Sequence, residues 1–217
     1  MTAQLNRGDN AADRVFFGGM GFAMTLTVFM GFAPTYYLLR PGAPPLTPLL
    51  HWHAFFATTW LLLFMAQTGL IAAHRIDLHR RLGIFGAIVA AVLTVLLTMT
   101  SIAHRGFTNR LVFSAGAILM FVIYIAAGLL HRRHPDAHKR LMLLATISLL
   151  APAISRLKLP FLPSGSIGPN LAALFFLLPA FAYDFATLRR IHPAMLWGGL
   201  FMILMLPLRA FLKAYVF

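Results

Sequence analysis

The chain has no cysteine and no glutamate, and five aspartates are the only acidic residues among its 217. Lack of cysteine removes a disulfide framework, a thiolate zinc or iron–sulfur site and a thiol nucleophile. Charged residues make up 11% of the chain, against about 25% in a soluble domain, so it cannot clothe a globular surface of its own size. With 60% hydrophobic residues, the sequence predicts an integral membrane protein. The net charge of +13 would suggest nucleic acid in a soluble protein. Here the cations sit in short clusters between long apolar runs, which suits topology and anionic head groups. The expected partners are therefore the lipid bilayer and its anionic lipids, and no nucleic acid.

Uncharged stretches run 15–39, 41–74, 82–104, 111–131, 141–155, 159–183 and 191–208, and a spanning helix needs about 20 mostly apolar residues. This predicts an all-α, polytopic membrane helical bundle of about seven transmembrane helices. They fall near 15–38, 49–73, 82–104, 111–131, 140–158, 167–185 and 193–214, in one integral-membrane domain (1–217) with a short polar segment at 1–14. The first apolar run is too long for a signal-peptide core and reads as a retained span. Seven spans put the termini on opposite sides. Eleven Lys and Arg then fall with the N-terminus and seven on the other side, which predicts an inner-membrane protein with a cytoplasmic N-terminus and an outside C-terminus. The fifth span is the short one. Its charge-free stretch is 15 residues, about 22 Å of helix, so Arg156 must snorkel or sit inside the bundle. Residues 159–170 are apolar yet rich in Pro and Gly, which allows a re-entrant segment if protein covers it.

Asp77-Leu78-His79-Arg80-Arg81-Leu82 and Asp136-Ala137-His138-Lys139-Arg140-Leu141 share the pattern D-x-H-[RK]-R-L, 59 residues apart. Each follows one long apolar helix and opens the next. The repeat implies a duplicated helical hairpin, spans 2–3 and 4–5, forming a four-helix unit over 49–158. Asp77 and Asp136 stand where an N-cap belongs, and the cations after them suit topology. Neither role needs a histidine at the same place in both copies, so His79 and His138 are candidate metal ligands. The turn from Tyr183-Asp184 to His192-Pro193 has similar ingredients without the same spacing, and adds Asp184 and His192 to the candidate ligands.

His53, Trp60, Gln67 and His74 recur every seven residues, which keeps them on one helical face with a drift of about 20° per heptad. Such a stripe would be costly against lipid and is expected to face the bundle interior. Helix 3 offers Thr94, Thr98 and Ser101 on one face. Hydroxyls of this kind usually serve as interhelical glue. Thr47-Pro48 reads as the cap and first residue of helix 2. Gly18, Gly19 and Gly21, with Gly83 and Gly86, read as close-approach sites between helices.

By depth the polar groups fall into two layers. One holds His51, His53, His104 and Arg156; the other holds His74, His79, His131, His134, His138 and His192 with Asp77, Asp136 and Asp184. Neutral imidazoles near carboxylates suit a transition metal, and imidazoles facing across a four-helix bundle suit haem. His53 and His74 lie at opposite ends of a span, so a haem would bind near an interface or in one layer only. His53, Gln67 and Arg156 are the candidate cofactor-binding residues, with Arg156 as the partner of an anion or propionate.

His53, then His79-Arg80-Arg81-Leu82-Gly83, then His138-Lys139-Arg140-Leu141-Met142 with Arg156 beyond resembles the H…HR-x-LG…H[RK]-x-[LW]-M…R pattern of a group of uncharacterised bacterial multi-pass membrane proteins. The ending Tyr183-Asp184…His192-Pro193…Trp197-Gly198-Gly199…Pro207-Leu208-Arg209 resembles the tail of the same group. This chain has Leu141 where the HR-x-WM form has tryptophan. Distant relatives in that neighbourhood are associated with cytochrome oxidase assembly, so the resemblance implies haem or copper handling and a homo-oligomeric or respiratory-complex partner.

The leading expectation is thus a haem- or metal-binding accessory protein for redox chemistry or cofactor assembly. Two others compete: a small transporter or proton-coupled channel whose His53–Gln67–His74 stripe lines a water-filled path, and a scaffold subunit without chemistry. A hydrolase is disfavoured, because there is no G-x-S-x-G, no zincin motif and no glutamate for a general base.

Overall fold

The computed structural model describes residues 11–39, 45–103, 107–163 and 167–215, with side chains except at 107–113, 210 and 212–215. Among these the chain is all-α, without a strand. The helices are α1 (Ala11–Phe32), α2 (Pro48–Ala72), α3 (Ile76–Ala103), α4 (Phe107–Leu130), α5 (Pro135–Ile147), α6 (Ala151–Arg156), α7 (Ile167–Leu174), α8 (Leu177–Leu188) and α9 (Pro193–Tyr215). α1 runs on through a π-helical end, Ala33–Tyr37. There Pro34 has no N–H to donate, and the Leu38 amide reaches back five residues to the Ala33 carbonyl at 2.7 Å.

Five helical segments are long and apolar enough to cross a membrane: Ala11–Tyr37, Pro48–Ala72, Ile76–Ala103, Pro135–Arg156 and Ile167–Leu188. The described parts of α4 and α9 add two shorter apolar stretches, Ser114–Leu130 and Pro193–Arg209. The chain is therefore a membrane-type helical bundle. Its helix boundaries follow the charge-free intervals closely, because charges end each apolar run. Helix 2 begins as its sequence dictates. The Thr47 side chain accepts the Leu50 amide, with Pro48 in the first turn.

The fifth and sixth rods are each broken once, and both breaks precede a proline. Pro152 cannot donate to the Ser148 carbonyl, and the chain tightens into three-residue turns over 148–150, with the Leu149 and Leu150 amides on Thr146 and Ile147. Pro179 does the same at 175–178, where Phe175, Phe176 and Leu178 donate three residues back. Beyond α6, Lys158 takes a left-handed φ of 49° and starts the turn into 159–163. Residues 164–166 of the expected re-entrant segment lie outside the described ones, and 167–170 belong to α7.

The α5–α6 rod is the least apolar of the five candidate spans and the most buried, at 67% against 22–28% for the others. α4 and α9 pack along α5, and α1 along α6. Buried Leu143, Leu144, Ala145 and Ile147 form the centre of the core with Met24, Leu93, Phe121 and Tyr124. Small residues set the closest approaches. A Cβ at Gly31 would stand 2.2 Å from the Ala153 carbonyl oxygen, and one at Gly198 would stand 2.4 Å from Leu144 Cδ1. Gly18 and Gly19, expected to act likewise, have open space instead, whereas Gly21 sits against Phe64 at 3.2 Å. The Tyr124 hydroxyl donates to the Gly198 carbonyl at 2.7 Å, joining α4 to α9.

Three local expectations are corrected. Asp77 and Asp136 are not caps: each lies one residue inside its helix. Asp77 pairs with Arg75 at 3.5 Å, and Asp136 pairs with Lys139 at 2.7 Å. As first-turn carboxylates they complement the helix dipole instead. The helix 2 stripe faces the interior as far as Gln67 and loses its last member. Trp60 is buried, its indole N–H on Thr146 Oγ1 at 3.3 Å and its ring edge-on to Phe121. α2 ends at Ala72, so His74 leaves the helical register with φ 56° and lies exposed. The α3 hydroxyls bond within their own helix: Thr94, Thr98 and Ser101 each donate to a carbonyl four residues back.

Candidate functional site

The start of α1, the α2–α3 and α4–α5 turns and the α8–α9 turn all meet at one end of the bundle. Arg14 Nη1 donates to the Ala72 carbonyl, and Lys139 reaches Asp13 at 3.0 Å. Within this end the two repeat histidines come together. His79 and His138, both half-buried, stand with ring centres 6.3 Å apart and planes at 88°. Each occupies the first turn of the second helix of its hairpin, so the duplication itself brings equivalent positions face to face.

The two rings are held differently. His138 Nδ1 lies 2.8 Å from the Gly128 carbonyl oxygen. The carbonyl only accepts, so Nδ1 carries the proton and Nε2 keeps its lone pair. That is the arrangement by which a backbone carbonyl orients a ligating imidazole. The His79 ring faces the main-chain carbonyl of Gln67, and its Nδ1 is buried without a hydrogen-bond partner among the described residues. Gln67 Oε1 is buried and without one as well. Gln67 lies over α3, where a Cβ at Gly83, one turn after His79, would meet its Nε2 at 3.4 Å. Leaving His79 Nδ1 and Gln67 Oε1 buried and unpartnered is costly.

Beside the pair lies a charged cluster. Arg140 and Asp184 are each 1% exposed and form a bidentate ion pair. Arg140 Nη1 also donates to the Asp136 carbonyl at 2.8 Å. Asp184 Oδ2 accepts the His192 amide at 2.9 Å. Asp13 binds Lys139 and accepts from the Tyr183 hydroxyl, and the Tyr183 ring stacks on Phe16. These contacts tie α1, α5 and α8 to the turn before α9. A pair so deeply buried is sustained only because further hydrogen bonds satisfy both partners.

This cluster changes the expected roles of Asp184 and His192. Both Asp184 oxygens are taken by the guanidinium and an amide, so it is an ion-pair partner rather than a metal ligand. His192 is the cap of α9. Its Nδ1 accepts the Ala194 amide at 3.1 Å, and its carbonyl accepts from Met195 and Leu196. Burial lowers its pKa below the usual 6.5. The Arg140 and Lys139 cations act the same way, against Asp184 and Asp136. His192 is thereby kept in the neutral form that the cap needs.

His53 and Arg156 lie at the other end of the bundle. Arg156 packs its guanidinium over the Phe32 ring at 4.3 Å and donates to the Pro152 carbonyl. Eighteen residues of α5–α6 separate it from His138, about 27 Å of helix. It therefore cannot serve a group held by the His79–His138 pair. The exposed His51 contacts the Tyr36 hydroxyl at 2.9 Å. Of the expected site residues, His79, His138 and Gln67 are thus brought together, Asp184 and His192 form an adjoining structural cluster, and His53 and Arg156 are remote. Sequence reasoning missed Arg140 as a buried group and Gly128 as the acceptor that orients His138. A signal for Gly128 existed: it lies 59 residues after Gly69, the spacing of the repeat.

Among the described residues no three His, Asp or Glu side chains converge on one point. The pair therefore offers two protein ligands. A tetrahedral zinc site needs three or four, whereas a haem iron, already held in its ring, takes its axial ligands from the protein. His79 and His138 would be the residues to hold such a group, with their ring centres 6.3 Å apart. Fold and site together define a membrane helical bundle with an imidazole pair at one end. No family model matches the chain, and no curated protein or solved structure does either.

Proposed function

We propose that the chain is a haem-binding inner-membrane protein that serves redox chemistry or cofactor assembly, with His79 and His138 as the residues that would hold the haem. The observation that carries this is their 6.3 Å, near-perpendicular placement at equivalent positions of a repeat. Bound there, haem would supply one-electron chemistry. The chain's own residues do the rest. The Gly128 carbonyl fixes the His138 tautomer, the Gln67 carbonyl steadies His79, and the Arg140–Asp184 pair anchors the first turn of α5 that carries His138. Aromatic and aliphatic side chains from α1, α2 and α5 keep water from the bundle beneath.

In this reading the bundle has seven spans, α4 and α9 included. The His pair lies near the cytoplasmic face, where the N-terminal cluster of cations belongs. The resemblance of the His79 and His138 motifs to multi-pass proteins near the oxidase-assembly group supports the same assignment. A conduction path along the helix 2 stripe has less support, because buried Trp60 fills it and His74 leaves it.

The test is an absorbance spectrum with metal analysis of the full-length protein purified in detergent from haem-replete cells. A Soret band at about one haem per chain is expected. Absence of both a Soret band and a stoichiometric transition metal would end the proposal, and a stoichiometric metal without haem would move it to a non-haem centre.

A further inference from the structure

On the outer side of the α2–α3 hairpin lies an open groove of about 700 Å³, lined by Ala66, Gly69 and Leu70 of α2 and by Leu78, Leu82 and Phe85 of α3. Its one charged lining residue is Arg81, exposed at the membrane end. The repeat gives this groove a counterpart. Arg81, Leu82 and Phe85 correspond, 59 residues on, to Arg140, Leu141 and Leu144. On that second hairpin the same surface is covered. α9 packs over it, with Gly198 against Leu144, and the Asp184 carboxylate neutralises Arg140. On the second hairpin α9 thus covers Leu144 and the α8 carboxylate covers Arg140, while Gly128, the counterpart of Gly69, lies against Met142 of α5.

We infer that the α2–α3 groove binds an anionic phospholipid, its acyl chain along Ala66, Gly69 and Phe85 and its phosphate on Arg81. The lining is apolar below and cationic at the boundary, as such a lipid requires. Gly69 keeps the floor open, since a Cβ there would meet nothing within 4 Å. The lipid stands on this hairpin where Asp184 and α9 stand on the other. The inference does not depend on haem.

Native mass spectrometry of the full-length protein in detergent, titrated with dioleoylphosphatidylglycerol or dioleoylphosphatidylcholine, tests it. One phosphatidylglycerol should be retained in preference to phosphatidylcholine. Arg81→Gln should weaken that retention about fivefold, the effect of one cation at a membrane surface, and Arg80→Gln should not. Gly69→Leu fills the groove without a clash and should also weaken it, which keeps the test open if Arg81→Gln folds poorly. Equal retention of the two lipids, or wild-type retention by both Arg81→Gln and Gly69→Leu, would overturn the inference. So would a dimer that dissociates on Gly69→Leu, because the occupant would then be a second copy of the chain.

Discussion

His138 donates its Nδ1–H to the carbonyl of Gly128, ten residues earlier across the α4–α5 turn, at 2.8 Å. That bond leaves Nε2 with its lone pair, on a ring whose centre is 6.3 Å from that of His79. We expect His138→Ala and His79→Ala each to abolish or sharply reduce the Soret absorbance of the purified protein. His53→Ala, at the far end of the bundle, should leave it unchanged. Equal haem content in all three variants would refute the assignment of His79 and His138.

The Arg140–Asp184 pair should behave as a buried salt bridge. Removing one partner strands the other, so Asp184→Ala or Arg140→Ala is expected to cost about 3–5 kcal/mol. The double change Arg140→Met with Asp184→Leu should cost less than either. Unfolding midpoints in mixed micelles would show this; additive losses would mean that the two residues act independently.

His192 gives the chain a pH dependence of known sign. Its pKa is lowered in the folded state, so the unfolded chain binds the proton first as pH falls. The stabilisation is fully present above the unfolded value of about 6.5 and is lost as pH drops toward the folded one. Protonation also removes the acceptor for the Ala194 amide. Thermal stability should therefore decline below about pH 6.5, and less steeply in His192→Asn, which caps a helix without titrating. Identical pH profiles for the two proteins would refute this.

Gly31 lets α1 approach α6 closely. A Cβ would press on the Ala153 backbone carbonyl, which cannot swing aside as a side chain can. Gly31→Val should cost about 3 kcal/mol or more. Gly18→Val on the same helix, which meets open space, should cost under about 1 kcal/mol. A thermal-shift assay on both variants decides the matter.

The helices were legible because hydropathy and charge are local. Runs bounded by Arg, Lys and Asp gave all the rods, and Thr47-Pro48 gave the start of α2. The breaks at 148–150 and 175–178 were less legible. A proline inside an apolar run can kink, break or be tolerated, and packing around it decides which. The site was half legible. The D-x-H repeat singled out His79 and His138, but a lone Arg such as Arg140 reads as a boundary charge until its distant partner, Asp184, is known. The helix 2 stripe faces inward at His53, Trp60 and Gln67 and fails only at its last member. A seven-residue period has meaning only while the helix lasts, and α2 ends before His74.

The most buried rod, α5–α6, is also the least apolar of the five and carries Arg140. An arginine costs about 2.5–3.5 kcal/mol at the centre of a spanning helix and less near its end, where Arg140 stands, and its relief, Asp184, is synthesised 44 residues later. The segment most central to the finished protein is thus the one least able to enter the bilayer alone. Membrane entry and final burial are separate events for it: α5 can meet α1, α2 and α4 at once, but Arg140 must wait until α8 arrives. Truncation after residue 160 should leave α5 poorly inserted in a glycosylation-mapping assay, and extension past residue 192 should rescue it.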